Sequence, residues 1–203
     1  MRTFAIAAVL SITAASAADL VNPDIPTWRG SSNSTYVQWD SFTTGFGTNY
    51  SDMGGFVLNS NSFTASVAGS GNIYNAGNTS DFTLASLEEF TTFDGFTAVV
   101  NIAWAGTPLN TNGMVASYGG QTRLGNVELR NSEPGMFGST NDTYAITFDF
   151  ENVSGSGEFK FDFGNFGPHG SLDAISVDLN QVPTPGALAL LGIAGISARR
   201  RRR

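Results

Sequence analysis

The sequence has no cysteine, one histidine, one lysine and only 13 % charged residues. Without cysteine there is no disulfide framework, no zinc–thiolate centre and no thiol nucleophile. A lone histidine, His169, excludes multi-histidine metal clusters. So little charge excludes the Ala/Glu/Lys/Leu/Arg-rich composition of long helices and coiled coils. No stretch of ten or more residues shows helical periodicity; the nearest approach, residues 84–90, predicts at most a short helical turn. No fixed repeat period occurs, which disfavours solenoids and propellers. What the chain has instead is glycine (24), serine (21), threonine (20) and asparagine (17), together 82 of 203 residues. That length suits one domain with room for a core.

The two ends read as addresses. Residues 1–17 carry a positive start at Arg2, an apolar stretch over 4–12 and the small-residue cleavage pattern Ala15-Ser16-Ala17. That order predicts a secretory signal peptide cut by signal peptidase after Ala17, rather than a buried first strand or helix. At the other end Val182, Pro183, Thr184 and Pro185 precede an apolar run over 186–198 and then Arg199, Arg200, Arg201, Arg202 and Arg203. The 13-residue run falls short of the ~20 residues that span a bilayer as a helix. Five terminal arginines predict a cytoplasmic end with the preceding body facing outward, so both ends export the same body. An ordinary tail anchor is the alternative. A nucleic-acid patch is disfavoured, because an exported chain has no use for one there.

This tripartite end resembles the PEP-CTERM sorting signal of Gram-negative bacteria. The resemblance covers residues 182–203. Thr184 stands where glutamate is usual, and the apolar run is short. The resemblance implies an exosortase-type enzyme that removes the tail after transient membrane association. It also implies delivery of the body to the cell surface or exopolysaccharide matrix. The domains are then a signal peptide (1–17), an acidic extracellular body (18–181) and a sorting signal (182–203).

The whole chain carries −7; setting aside Arg2 and the five terminal arginines leaves −13 on the body. Its remaining bases are Arg29, Arg123, Arg130 and Lys160. Such a surface repels phosphates, so no nucleic-acid partner is expected, and it favours solubility.

Period-2 alternation dominates the body. Phe96, Ala98, Val100, Ile102 and Trp104 share one face; so do Tyr144, Ile146, Phe148 and Phe150, and again Phe159, Phe161 and Phe163. Residues 152–157 between the last two sets predict a hairpin loop. Ile175, Val177 and Leu179 predict a closing strand. Further strands are expected over 36–42, 55–58, 63–67, 72–74, 81–84, 114–118 and 122–130. An extended lead-in is expected over 22–29 and a linker over 181–185. Many short strands separated by turn residues predict an all-β fold: an antiparallel β-sandwich or jelly roll with a phenylalanine-rich core. Residues 163–177 resemble the last strand of jelly-roll, lectin-like carbohydrate-binding domains, which implies the same fold.

Candidate chemistry is sparse. Glu88/Glu89 and Asp149/Glu151 are acid pairs of the kind a glycosidase needs, but the latter lie on a strand face opposite Phe148 and Phe150 and read as solvated. His169 sits in the turn Gly167-Pro168-His169-Gly170 with no nucleophile motif beside it. The body contains neither Gly-x-Ser-x-Gly nor His-Glu-x-x-His. These readings predict no enzyme, no catalytic residues and no organic cofactor. A structural Ca²⁺ stays open as an expectation, with Asp173 or Asn141-Asp142 as contributors but no complete ligand set. Trp28 and Tyr50, in segments that read as loops, are the candidate glycan contacts, while Trp39 and Trp104 read as core. The expected role is structural or adhesive, at the surface or in the matrix. The alternative is a carbohydrate-binding module or polysaccharide-acting enzyme on the same fold.

Overall fold

Phenylalanine at every second position forces the strands to face one another across a shared interior. The computed structural model describes residues 20–90, 95–135, 138–153 and 156–182. The signal-peptide residues Ala15 and Ala17, the motif residues Pro183, Thr184 and Pro185, the apolar run and residues 199–203 lie outside them. Among the described residues, thirteen strands form two antiparallel sheets and there is no α-helix; a 3₁₀ turn lies at Thr111–Gly113.

The first sheet contains β1 (Ser34–Trp39), β4 (Ala65–Val67), β5 (Ile73–Asn75), β7 (Gly95–Gly106), β10 (Asn126–Pro134), β11 (Thr140–Glu151) and β13 (Gly170–Val182). Its order is β10-β11-β7-β13-β5-β4, and β1 pairs with the later part of β13. The second contains β2 (Gly47–Tyr50), β3 (Phe56–Ser60), β6 (Asp81–Ser86), β8 (Val115–Tyr118), β9 (Gln121–Leu124) and β12 (Lys160–Gly164), in the order β2-β3-β6-β12-β8-β9.

The aromatic stripes meet between the sheets. Phe96, Phe148 and Phe150 from the first sheet contact Phe161 and Tyr118 from the second and Phe159 just before β12, with ring centroids 5.3 Å apart for Phe148–Phe161, 5.4 Å for Phe96–Phe159 and 4.7 Å for Phe96–Tyr118. Phe161, Phe163 and Phe82 continue the stack at 5.0 Å steps. Trp39 and Trp104 are buried in the same core. Offset and tilted ring pairs of this kind add to the gain from burial itself.

Several local expectations are corrected. The two strands flanking 152–157 are not paired as the expected hairpin: β11 pairs with β10 and β7, whereas β12 pairs with β6 and β8 in the opposite sheet. A hairpin would set both phenylalanine stripes side by side on one sheet face; crossing between sheets lets them pack against each other. The 84–90 segment forms no helical turn, because Leu84, Ala85 and Ser86 belong to β6 and Phe90 makes a bridge to Gly157. The single strand expected over 122–130 is split at Gly125 into β9 and β10, one in each sheet. Gly125 permits that crossing: a Cβ there would come within 2.3 Å of the Ile146 side chain. Tyr50 lies on strand β2 rather than in a loop. Gln181 and Val182 continue the β13–β7 ladder opposite Phe96 and Gly95, so they are not part of a linker.

The lead-in has a definite job. It crosses the outer face of the first sheet from β10 to β1. Asn22 bonds the Arg130 carbonyl, Val21 N–H donates to Thr143, Asp24 and Asn101 exchange hydrogen bonds, and Arg29 clasps Asp178. This strap explains why outward-facing polar residues Asn101, Thr143, Ser176 and Asp178 are buried. Each has the partner that burial demands.

Candidate functional site

Past the strap, the outer face of the first sheet opens into a cleft of about 930 Å³ at the end where β7 finishes and β13 begins. Strand register sets its layout. Tyr74, Ser171, Ala105 and Asn141 are cross-strand neighbours on β5, β13, β7 and β11. Their alternates Ile73, Leu172 and Trp104 point into the core. Small residues, Ala105, Gly106 and Ser171, make the floor. One wall is Tyr74 with His169, and the other is Ser139 with Asn141.

Two backbone irregularities build this end. Between Leu172 and Ala174 the β13–β7 register shifts, so Asp173 is an extra, bulged residue. Bulges re-aim side chains, and Asp173 turns to the cleft beside Ser171. The second is a close approach. Gly106 has φ +95°, and a Cβ on it would lie 1.9 Å from the His169 carbonyl oxygen. Only glycine fits there. His169 itself is left-handed at φ 63°, a conformation few non-glycine residues adopt. It is held by its N–H to the Asn75 carbonyl at 2.8 Å and its carbonyl to the Thr107 N–H at 3.2 Å.

The polar groups of the cleft hold one another in place. Tyr74 Oη and His169 Nδ1 are 2.8 Å apart, with ring centroids at 6.3 Å and a tilt of 33°. Ser70 donates to Asn72, Asn72 donates to Ser171, and Ser171 donates to Asp173 Oδ1 at 2.7 Å. Partial burial pushes the Asp173 carboxyl above its ordinary value, and Ser171 and Asn72 oppose that shift. A carboxylate accepts up to about four hydrogen bonds, so these two neighbours leave acceptor capacity facing the cleft.

Asp173 is the one carboxylate among the described residues lining the cleft, and none of those residues is lysine or arginine. Several other acids bond outside the cleft. Asp149 accepts from Thr97, and Glu89 accepts from Ser156. Asp142 accepts from Ser132, Thr140 and Tyr144. Burial, together with the Asp142 carboxylate it bonds, raises the Tyr144 pKa to about 12. Asn141 lines the cleft, but Asp142 pairs with the core-facing Trp104 and points the other way. Of the candidate calcium contributors, Asp173 and Asn141 therefore line the same cleft, and Asp142 does not. Among the described residues no group of three or more His, Cys, Asp or Glu side chains could hold a metal ion. No helix among them is long and apolar enough to cross a membrane.

The candidate glycan contacts lie apart from the cleft. Trp28 is half-buried in the turn of the strap. Tyr50 is 70 % exposed on β2, at the edge of the second sheet. From the sequence, Tyr74 is simply the end of an expected strand over 72–74, and His169 is a turn residue. Sequence reasoning missed Asn72 and Ser171. One signal was available: Leu172 and Ile175 are both inward, an odd spacing that breaks period 2 and marks a bulge at Asp173.

Fold and cleft together define an all-β protein of two packed antiparallel sheets with a polar cleft on its outer face. No protein-family model matches the chain, and no curated protein matches it.

Proposed function

We propose that the chain is an exported, non-enzymatic surface or matrix protein, a jelly-roll, lectin-like sandwich with an adhesive role. In this reading signal peptidase removes residues 1–17. The PEP-CTERM-like tail associates transiently with the membrane, and an exosortase-type enzyme removes it.

The observation that carries the reading is polarity of the body. The described chain leaves the sandwich at Val182, opposite Gly95, while the cleft sits at the Gly106–Gly170 end of the same ladder. Twelve residues of β7 separate the two ends, roughly 35–40 Å at the usual strand rise. A body tethered by its C-terminus therefore holds its cleft away from the membrane, as an adhesive protein requires. The chain's repeated passage between sheets supports the jelly-roll assignment. One cleft carboxylate instead of an opposed pair supports binding over glycoside hydrolysis, which uses two.

Replacing residues 199–203 with serine tests the sorting step. The expected result is loss of the mature form, with unprocessed chain accumulating. A mature form of unchanged mass and location would refute it.

A further inference from the structure

We infer that the cleft is a saccharide site selective for neutral, hydroxyl-rich glycans, with the Tyr74–His169 pair as its stacking wall and Asp173, Asn72 and Ser171 as its hydroxyl-reading groups. The inference deepens the adhesive reading above and rests on it only for the matrix as the source of the ligand.

The shape argues first. The floor of Ala105, Gly106 and Ser171 offers no bulk, so a flat ring can lie against the sheet. Tyr74 and His169 present two partly exposed rings on one side of it. Sites of this kind combine apolar surface with a few fixed polar groups that orient the ligand. Here a relay from Ser70 through Asn72 and Ser171 to Asp173 fixes them. A vicinal diol suits such a set, because each hydroxyl can donate to a carboxylate or amide oxygen and accept from an amide N–H.

Charge then narrows the class. The body has four bases, and none lines the cleft. Arg29 is held by Asp178, Arg130 by Glu128, Arg123 by Gln121 and the Asp149 carbonyl, and Lys160 is exposed on β12. A uronate or sulfate would enter without a counter-charge, beside Asp173, in the field of a strongly acidic body. Neutral hexose polymers meet no such penalty. The rigid setting also favours binding, since the groups need little reordering on contact.

The test is affinity electrophoresis and calorimetry on the purified full chain in mild detergent, with dextran, mannan and laminarin as neutral probes and alginate and polygalacturonate as charged ones. At least one neutral polymer should bind, more tightly than either uronate. Binding should change little between about 0.05 and 0.5 M salt, as expected for an uncharged ligand. Tyr74→Ala should weaken it about tenfold or more. Ala105→Trp, which fills the floor from the outer face, should abolish it and serves if Tyr74→Ala folds poorly. Failure of every neutral polymer, preference for a uronate, or full binding by folded Tyr74→Ala or Ala105→Trp would overturn the inference. Because this assay reads the purified chain, it can fail while the sorting experiment succeeds, and the reverse.

Discussion

Arg29→Ala should lower folding stability by about 3–5 kcal/mol at neutral pH, the range found when one partner of a buried ion pair is removed. The Asp178 side chain has no exposed surface, and Arg29 meets it through Nε–Oδ1 at 2.5 Å and Nη2–Oδ2 at 2.6 Å. The guanidinium also lies 4.0 Å over the Tyr36 ring. Arginine keeps 24 % of its side chain exposed, so the lower half of that range is expected. Without it the strap loses its anchor and a carboxylate stays buried alone. Replacing both residues, as Arg29→Met with Asp178→Leu, should restore stability to within about 1 kcal/mol of the natural chain, because matched apolar pairs commonly substitute for buried ion pairs.

The same pair sets a pH dependence. Burial raises the Asp178 carboxyl above its ordinary 3.8, and the Arg29 contact only partly opposes this. A carboxyl with a raised folded-state pKa holds its proton in the folded chain where the unfolded chain has lost it. Its contribution is therefore full below pH 3.8 and declines as pH rises through the folded-state value. Asp81 and Asp173 shift in the same direction, each chiefly through burial. Removing Arg29 lifts the Asp178 value further. Urea unfolding should show a smaller Arg29→Ala defect at about pH 4 than at pH 7. Equal defects at both, or a defect under about 1 kcal/mol at pH 7, would remove the strap's anchoring role.

Phe161→Ala should be comparably severe, at about 3–5 kcal/mol, the usual cost of emptying a buried aromatic site. Phe161 is fully buried and bridges the sheets, with Phe148 at 5.3 Å across the interior and Phe163 at 5.0 Å along its own strand. Close-packed neighbours on both sides leave little room for collapse into the void. Phe161→Leu should cost well under half as much by the same denaturant titration. Equal losses for the two variants would mean that ring packing at this position contributes little.

The two cases show how far residues alone reach. Period-2 phenylalanines identify the inward faces of β7, β11 and β12 without any coordinates, since alternation is a local property of a strand. Partner choice is not local. The same stripes fit a hairpin between β11 and β12 and fit the observed packing across the interior, and only the long-range pairing separates these. Asp178 likewise reads as an ordinary solvent-facing acid between Val177 and Leu179. Its burial depends on a strap 149 residues away in sequence. Strand β2 was illegible for another reason: Gly47-Thr48-Asn49-Tyr50 has turn composition, yet Asn49 is buried because its side chain caps the bend at Thr43 and Thr44. The cleft was partly legible. Asp173 and His169 stand out singly in the sequence, but what brings them beside Tyr74 is the register of β5 on β13, which no motif encodes.

The proposed processing has a structural requirement. Cleavage after Ala17 would leave Val21, whose N–H bonds Thr143, in place, and β13 is paired as far as Val182. A body processed as proposed would keep both. Intact mass of the native protein from the cell envelope and the medium tests this most directly. The account predicts a chain that starts at Ala18 and ends within residues 182–186. A membrane-bound chain that retains Arg203 would contradict it, and would make the protein a simple tail-anchored one.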